Sequence, residues 1–173
     1  MVSNKKRLYL ALYPSGNTSG REDLKYHLAF FIGPKPEYGV EVPGMRFHVK
    51  NPPGGGWRYV EDELSDVQSS VRLLVRVVIA KVTDERQLIE VFRNTPIFQN
   101  DPNFNCRTWA IDALSRISSR KVVGTSQLNW DIVEERARSY VAEKTAAGRF
   151  GHGQDMMKPK PTWDMLEDKE IIS

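Results

Sequence analysis

Hydrophobic and polar positions change rhythm once along this chain, from period two to period 3.6. From Arg7 to Tyr13, Leu8, Leu10 and Leu12 recur at every second position, the mark of a strand. Leu24 to Ile32 reads as a second strand, closed by Gly33-Pro34-Lys35-Pro36, which cannot continue a ladder. Val40 to Val49 is a third, bent at Pro43-Gly44 and joined to the second as a hairpin. The run Asn51-Pro52-Pro53-Gly54-Gly55-Gly56 breaks the pattern, and Trp57 to Val60 adds a short strand. Val71 to Val82 is the most apolar stretch and rich in β-branched residues, which predicts a central strand buried on both faces.

Beyond Val82 the spacing becomes helical. Thr83 caps a helix with an acidic first turn, whose apolar positions are Leu88, Ile89, Val91 and Phe92 and which stops before Thr95-Pro96. A second helix carries Trp109, Ala110, Ala113, Leu114 and Ile117 on one face, and ends near Ser118-Ser119. A third starts near Ser126, carries Trp130, Ile132, Val133, Ala137, Tyr140 and Val141, and fades at Gly148. Strands first and helices later predict an α+β class: an antiparallel sheet packed against helices, within one domain over residues 1–150. Residues 151–173 have no period and read as a mobile tail. Within them, Trp163 to Leu166 and the pair Ile171-Ile172 are apolar enough to dock as an anchor, on this domain or on a second copy in a homodimer.

Composition narrows the function. At 173 residues the chain can bury a core without disulfides or metal, and 40% hydrophobic with 27% charged residues is ordinary for a globular protein. Twenty-five basic residues interleave with 22 acidic ones for a net charge of +3, without the basic stripe and stacking aromatics that nucleic acid requires. No apolar run approaches the roughly 18 residues of a membrane helix, and the basic start Lys5-Lys6-Arg7 leads into a strand rather than a signal peptide. The expected location is cytoplasmic, with no nucleic-acid or membrane partner. A single cysteine and three scattered histidines carry no metal-ligand spacing, so neither zinc nor another cofactor is expected.

That cysteine, Cys106, follows Asp101, Pro102 and Asn105 and falls in the first turn of the second predicted helix. Unpaired N–H groups and the helix dipole there favour a thiolate. A free cysteine is more often a small buried hydrophobe, but such a residue belongs within the apolar stripe, not beside its cap. A Cys–His site needs an imidazole in hydrogen-bond reach and a third group to fix its tautomer. His27 and His48, both in strand-like sequence, are the candidates, whereas His152 lies in a Gly-flanked loop. Tyr13, Trp57 and Trp109 are pocket or core residues.

Tyr26-His27-Leu28-Ala29-Phe30-Phe31-Ile32-Gly33 and Asn105-Cys106-Arg107-Thr108-Trp109 together resemble the circularly permuted papain-like superfamily. Its members include lecithin:retinol acyltransferase-like and PPPDE-like proteins, and NlpC-type peptidases share its core. The resemblance covers roughly Leu24 to Ile117, and departs from the acyltransferase type in having Arg107 and Thr108 after the cysteine and a longer histidine hairpin. The whole chain is also similar to small fungal proteins that carry no assigned activity. The resemblance implies a papain-like core in which Cys106 attacks an amide, ester or thioester, His27 is the base, and His48 orients His27, with Asn51 as a weaker candidate for that post. It implies a small-molecule or carrier-bound acyl substrate and either transfer or hydrolysis. The same fold serves a non-catalytic binding protein, or an isopeptidase acting on ubiquitin-like conjugates.

Overall fold

The first strand, β1 (Arg7–Pro14), is buried at seven of its eight positions. Its alternation therefore separates two apolar faces, not an apolar face from a wet one. Leu8, Leu10 and Leu12 enter one core, and Tyr9, Ala11 and Tyr13 enter another on the opposite side of the sheet.

The computed structural model describes residues 6–35 and 41–173. After β1 come a 3₁₀ turn (Glu22–Leu24), β2 (Tyr26–Gly33), β3 (Gly44–Lys50), β4 (Arg58–Leu64) and β5 (Val75–Val82). Then follow α1 (Glu85–Asn94), α2 (Cys106–Ser118), β6 (Val123–Ser126), α3 (Trp130–Ala146), β7 (Thr162–Asp164) and β8 (Lys169–Ile172). The strands form one sheet in the order β4-β3-β2-β1-β5-β7-β8, with β6 also paired to β5. All pairings are antiparallel except β5 with β7. The fold is α+β.

The three helices pack on the face built from Leu10, Leu28, Phe30, Phe47, Val77 and Ile79, with Trp109 and Phe92 at the centre. The other face, with Tyr9, Ala29, Phe31 and Val78, is covered by Val42, Val67 and Leu73 from loops.

Three expectations shift. The cap of α1 is Asp84, not Thr83, and α3 starts at Trp130 behind an Asn129 cap, not near Ser126: each cap side chain accepts a main-chain N–H, from Gln87 and Ile132 respectively. The N–H groups of Thr83 and Asp84 both bond the Val122 carbonyl, and Ser126 belongs to β6. The segment Val71–Leu74 precedes β5, with Val71 exposed. The expected start of the third strand, Val40, lies outside the described residues.

The larger correction is the segment after Gly151, which is not a loose tail: its two strands extend the sheet beside β5. Polar contacts hold it where apolar composition is thin. Lys160 is fully buried with its Nζ on the carbonyls of Ser70, at 2.9 Å, and Leu73. Arg76, also fully buried, donates to Thr162 Oγ1 at 2.9 and 3.1 Å and to the Val67 carbonyl at 2.9 Å, over the face of Tyr9. The segment docks on its own domain, and none of its described residues lines the cleft described next.

A candidate active-site cleft at the end of the sheet

Where β1 and β3 end and β2 and α2 begin, a cleft of about 1200 Å³ opens. It is lined by Tyr13, His27, His48, Asn51, Trp57 and Cys106, among others.

The histidines are joined across a gap in the sheet. β2 and β3 pair only from Phe30↔Phe47 to Ile32↔Met45, so main-chain bridging stops before His27 and His48. There the imidazoles take over, with His27 Nε2 2.8 Å from His48 Nδ1. His48 Nε2 lies 3.2 Å from Asp62 Oδ2 on β4. Arg46 donates Nε and Nη2 to the same carboxylate oxygen at 2.9 and 2.8 Å, and Nη1 to the Tyr13 hydroxyl at 3.2 Å.

Burial works against the charge of Asp62, but hydrogen bonds from Arg46 and His48 and their positive fields hold its carboxyl below the ordinary range. Burial, reinforced by Arg46, Lys50 and Arg72, pushes His27 down to about 4. Burial, then the fields of His27, Arg46 and Lys50, pushes His48 down to about 3 against the opposing pull of Asp62. Both rings are neutral at pH 7, which fixes the proton positions. The carboxylate only accepts, so His48 carries its proton on Nε2 and accepts at Nδ1; His27 then donates from Nε2. The lone pair left over is on His27 Nδ1, which has no hydrogen-bond partner among the described residues.

Cys106 opens α2, and Asn105 caps it. The Asn105 side chain accepts from the N–H groups of Arg107 (2.9 Å) and Thr108 (3.0 Å), while Thr108 Oγ1 accepts the Asn105 N–H at 2.9 Å. A bidentate pair, Arg107 with Glu134 at 2.7 Å for both bonds, ties this end of α2 to α3. The cap therefore uses much of the helix-end donor capacity that the sequence assigns to a thiolate. Burial pushes the Cys106 thiol up, and the N–H groups of Leu28, Arg107 and Cys106 offset this only in part. The expectation of a lowered thiol pKa is thus overturned.

Nor is a Cys–His hydrogen bond formed. The Cys106 sulfur lies 4.0 Å from the Tyr26 carbonyl, against the backbone of the residues flanking His27. Alternation along β2 sends Tyr26, Leu28 and Phe30 to the helix face and His27, Ala29 and Phe31 to the other, where His27 meets Tyr13. Thiol and imidazole come from opposite faces and share one cleft only because it wraps the end of β2.

The other candidates divide. Trp57 is clamped by Gln99, which accepts its N–H at 2.8 Å and donates to its carbonyl at 2.6 Å, and its ring meets Phe104 edge-on. Asn51 lines the cleft but bonds neither imidazole; His48 holds the post beside His27, and Asp62 backs His48. Trp109 is a correction: it is 1% exposed, packed against Phe30, Tyr59 and Phe92, and forms core rather than pocket. Asp62 lies beyond Val60, where the fourth strand is expected to end, and Arg46, inside the expected third strand, carries no sequence signal of its own for the site. Strand alternation extended two residues would have put Asp62 on the face of His48.

Among the described residues no group of three or more His, Cys, Asp or Glu is placed to hold a metal ion, and no helix is long and apolar enough to cross a membrane. Comparison with curated proteins and with solved structures gave no match. The model of a family of unknown function, DUF6914, matches residues 5–172, and the chain belongs to that family.

Proposed function

We propose that this member of DUF6914 is a thiol-dependent acyl-transfer enzyme with a permuted papain-like core, acting on an amide, ester or thioester. The observation that carries the reading is the Asp62–His48–His27 chain. It leaves one uncommitted lone pair, on His27 Nδ1, in the cleft that also holds the only cysteine.

At rest thiol and imidazole are both neutral and not paired with each other, so the thiolate forms only as substrate is attacked. Closure of the cleft on substrate has to bring the Cys106 thiol to His27 Nδ1 with the His27–His48 hydrogen bond kept, a tightening of the kind that apo sites often require. Cys106 Sγ then bonds the acyl carbon as its proton passes to His27 Nδ1. The tetrahedral intermediate collapses, the bond to the leaving group breaks, and His27 protonates that group, leaving a thioester. Water or an acceptor hydroxyl or amine, deprotonated by His27, attacks the thioester and releases Cys106 as thiol. Asp62 remains a carboxylate throughout and stabilises the positive charge that His48 and His27 share. Arg46 fixes Asp62, and Tyr13 fixes Arg46.

The test is a p-nitrophenyl ester series with intact-mass detection. An acyl adduct on Cys106 that is lost in Cys106→Ser and slowed by about 10² in His27→Ala supports the reading. The raised thiol pKa and the missing Cys–His hydrogen bond favour a second reading, a non-catalytic binding protein on the same scaffold. It predicts no adduct with any ester, while the cleft still binds ligands.

A further inference from the structure

Among the described residues four cations line the cleft, and they are not equivalent. Arg21 is paired with Asp23, Nη2 to Oδ2 at 2.6 Å, and Arg46 with Asp62. Lys50 and Arg72 form no ion pair among the described residues. Arg72 is steadied through one contact, from Nη2 to the Pro14 carbonyl at 3.2 Å, which leaves the rest of its guanidinium to the cleft. The one carboxylate that lines the cleft among the described residues, Asp101, is turned into its own loop and accepts the Asn103 N–H at 2.8 Å.

Position matters as much as charge. In β3, Phe47 and Val49 enter the helix-side core, so Arg46, His48 and Lys50 share the other face with His27. Arg72 stands in the segment leading into β5, beside the end of β1, whose Tyr13 pairs with His27. His27 thus faces Arg46 and Lys50 from β3, Arg72 from that segment, His48, and Tyr13 from β1. The fields of Lys50 and Arg72 both bear on its ring. The cleft lining also includes an aromatic pair, Trp57 edge-on to Phe104 at 5.5 Å.

We propose that the cleft takes a ligand with an anionic group, carboxylate or phosphate, seated between Lys50 and Arg72 beside His27, its apolar part against Trp57 and Phe104. That this ligand is the acyl substrate rests on the acyl-transfer reading; the anion site itself does not. Binding has a built-in consequence. Burial is the main cause of the lowered His27 pKa, and the fields of Lys50 and Arg72 add to it; an anion between these two cations screens their part, so the ligand makes His27 a stronger base as it arrives.

The experiment has two arms that do not depend on turnover. In the first, Cys106 is alkylated with iodoacetate and with iodoacetamide, reagents alike except for charge. The proposal expects the iodoacetate-to-iodoacetamide rate ratio to fall roughly tenfold in Lys50→Ala/Arg72→Ala, and in wild type at high salt. In the second, the His27 ring is followed by NMR during titration with 3-phenylpropionate, phenyl phosphate and neutral 3-phenylpropionamide. Saturable shifts and a raised His27 pKa with either anion, lost in the double variant and absent with the amide, support the site; the tighter anion identifies the group. Equal response to amide and anions, or wild-type behaviour in the double variant, overturns it. A Cys106 inert to both alkylating reagents counts against the acyl-transfer reading alone, and the NMR arm then decides the anion site. Both substituted side chains are exposed, so the variant keeps the core.

Discussion

His27 Nε2 and His48 Nδ1 lie 2.8 Å apart at the point where main-chain pairing between β2 and β3 has stopped. Two neutral rings therefore close a gap in the sheet, and one of them ends on a carboxylate. The link is structural as well as chemical, and its protonation has a defined sign.

In the unfolded chain both imidazoles titrate near 6.5; in the folded chain they are held at about 4 for His27 and about 3 for His48. As pH falls the unfolded state binds protons first, so this contribution to stability is intact above about 6.5 and is lost progressively towards 4 and below. Asp62, held below its ordinary range, adds a loss of the same sign at lower pH. Urea melts from pH 7.5 to 4 are expected to show falling stability across this window. The double variant His27→Gln/His48→Gln should be less stable at pH 7.5 but flatter between 6.5 and 4. An unchanged slope in that variant assigns the acid sensitivity elsewhere.

The thiol makes a separate prediction. Because burial dominates at Cys106, its alkylation by iodoacetamide should follow a pH profile with a midpoint above that of an ordinary cysteine, reversing the sequence-based expectation. Asn105→Ala frees the α2 N–H groups from their cap. The thiol midpoint should fall, while the protein loses about 1 kcal/mol of stability. A wild-type midpoint below that of a free cysteine contradicts this account of the site.

What could be read from the sequence was what local periodicity encodes. The strand at Arg7, the His27 strand and the Cys106 helix were legible because their apolar spacing repeats within a few residues. The cleft's shared position of His27, His48 and Cys106 was suggested by motif order. What could not be read was the face each strand residue takes relative to the helices, since β1 and β2 are apolar on both faces and give no polar side to orient them. Hence the opposed approach of His27 and Cys106 was invisible. The terminal strands were missed for a different reason: Lys160 and Thr162 look like solvated positions, and only partners distant in the chain, the carbonyls of Ser70 and Leu73 and the Arg76 guanidinium, make their burial tolerable.

Two glycines beside Val67 should respond differently to substitution. A Cβ at Gly33 would meet only the Val67 side chain, at 2.8 Å, whereas one at Gly44 would meet the Ile32 carbonyl oxygen and the Val67 side chain, both at 2.5 Å. Each alanine variant is expected to lose about 1–3 kcal/mol from overpacking. Adding Val67→Ala should recover part of the loss at Gly33 and little at Gly44, because backbone cannot yield as a side chain does. Chemical denaturation of the four variants reads this directly, and equal rescue at both positions argues against the backbone clash.

The sharpest stability prediction concerns the terminal strands. β7 supplies the parallel neighbour of β5, and Thr162 Oγ1 accepts two donors from a guanidinium with no exposure to solvent. Thr162→Val removes that acceptor and leaves Arg76 with the Val67 carbonyl and the Tyr9 ring. Leaving a buried charge underbonded costs about 3 kcal/mol or more, against well under 1 kcal/mol for the same change at an exposed strand position. Thr162→Ser, which keeps the hydroxyl, should recover most of that loss. Ending the chain before Lys160 removes both strands and exposes the edge of β5, so the remaining chain is expected to lose cooperative unfolding or to aggregate. A truncated chain that melts within a few degrees of the full one would mean that β7 and β8 decorate the sheet without helping to hold it.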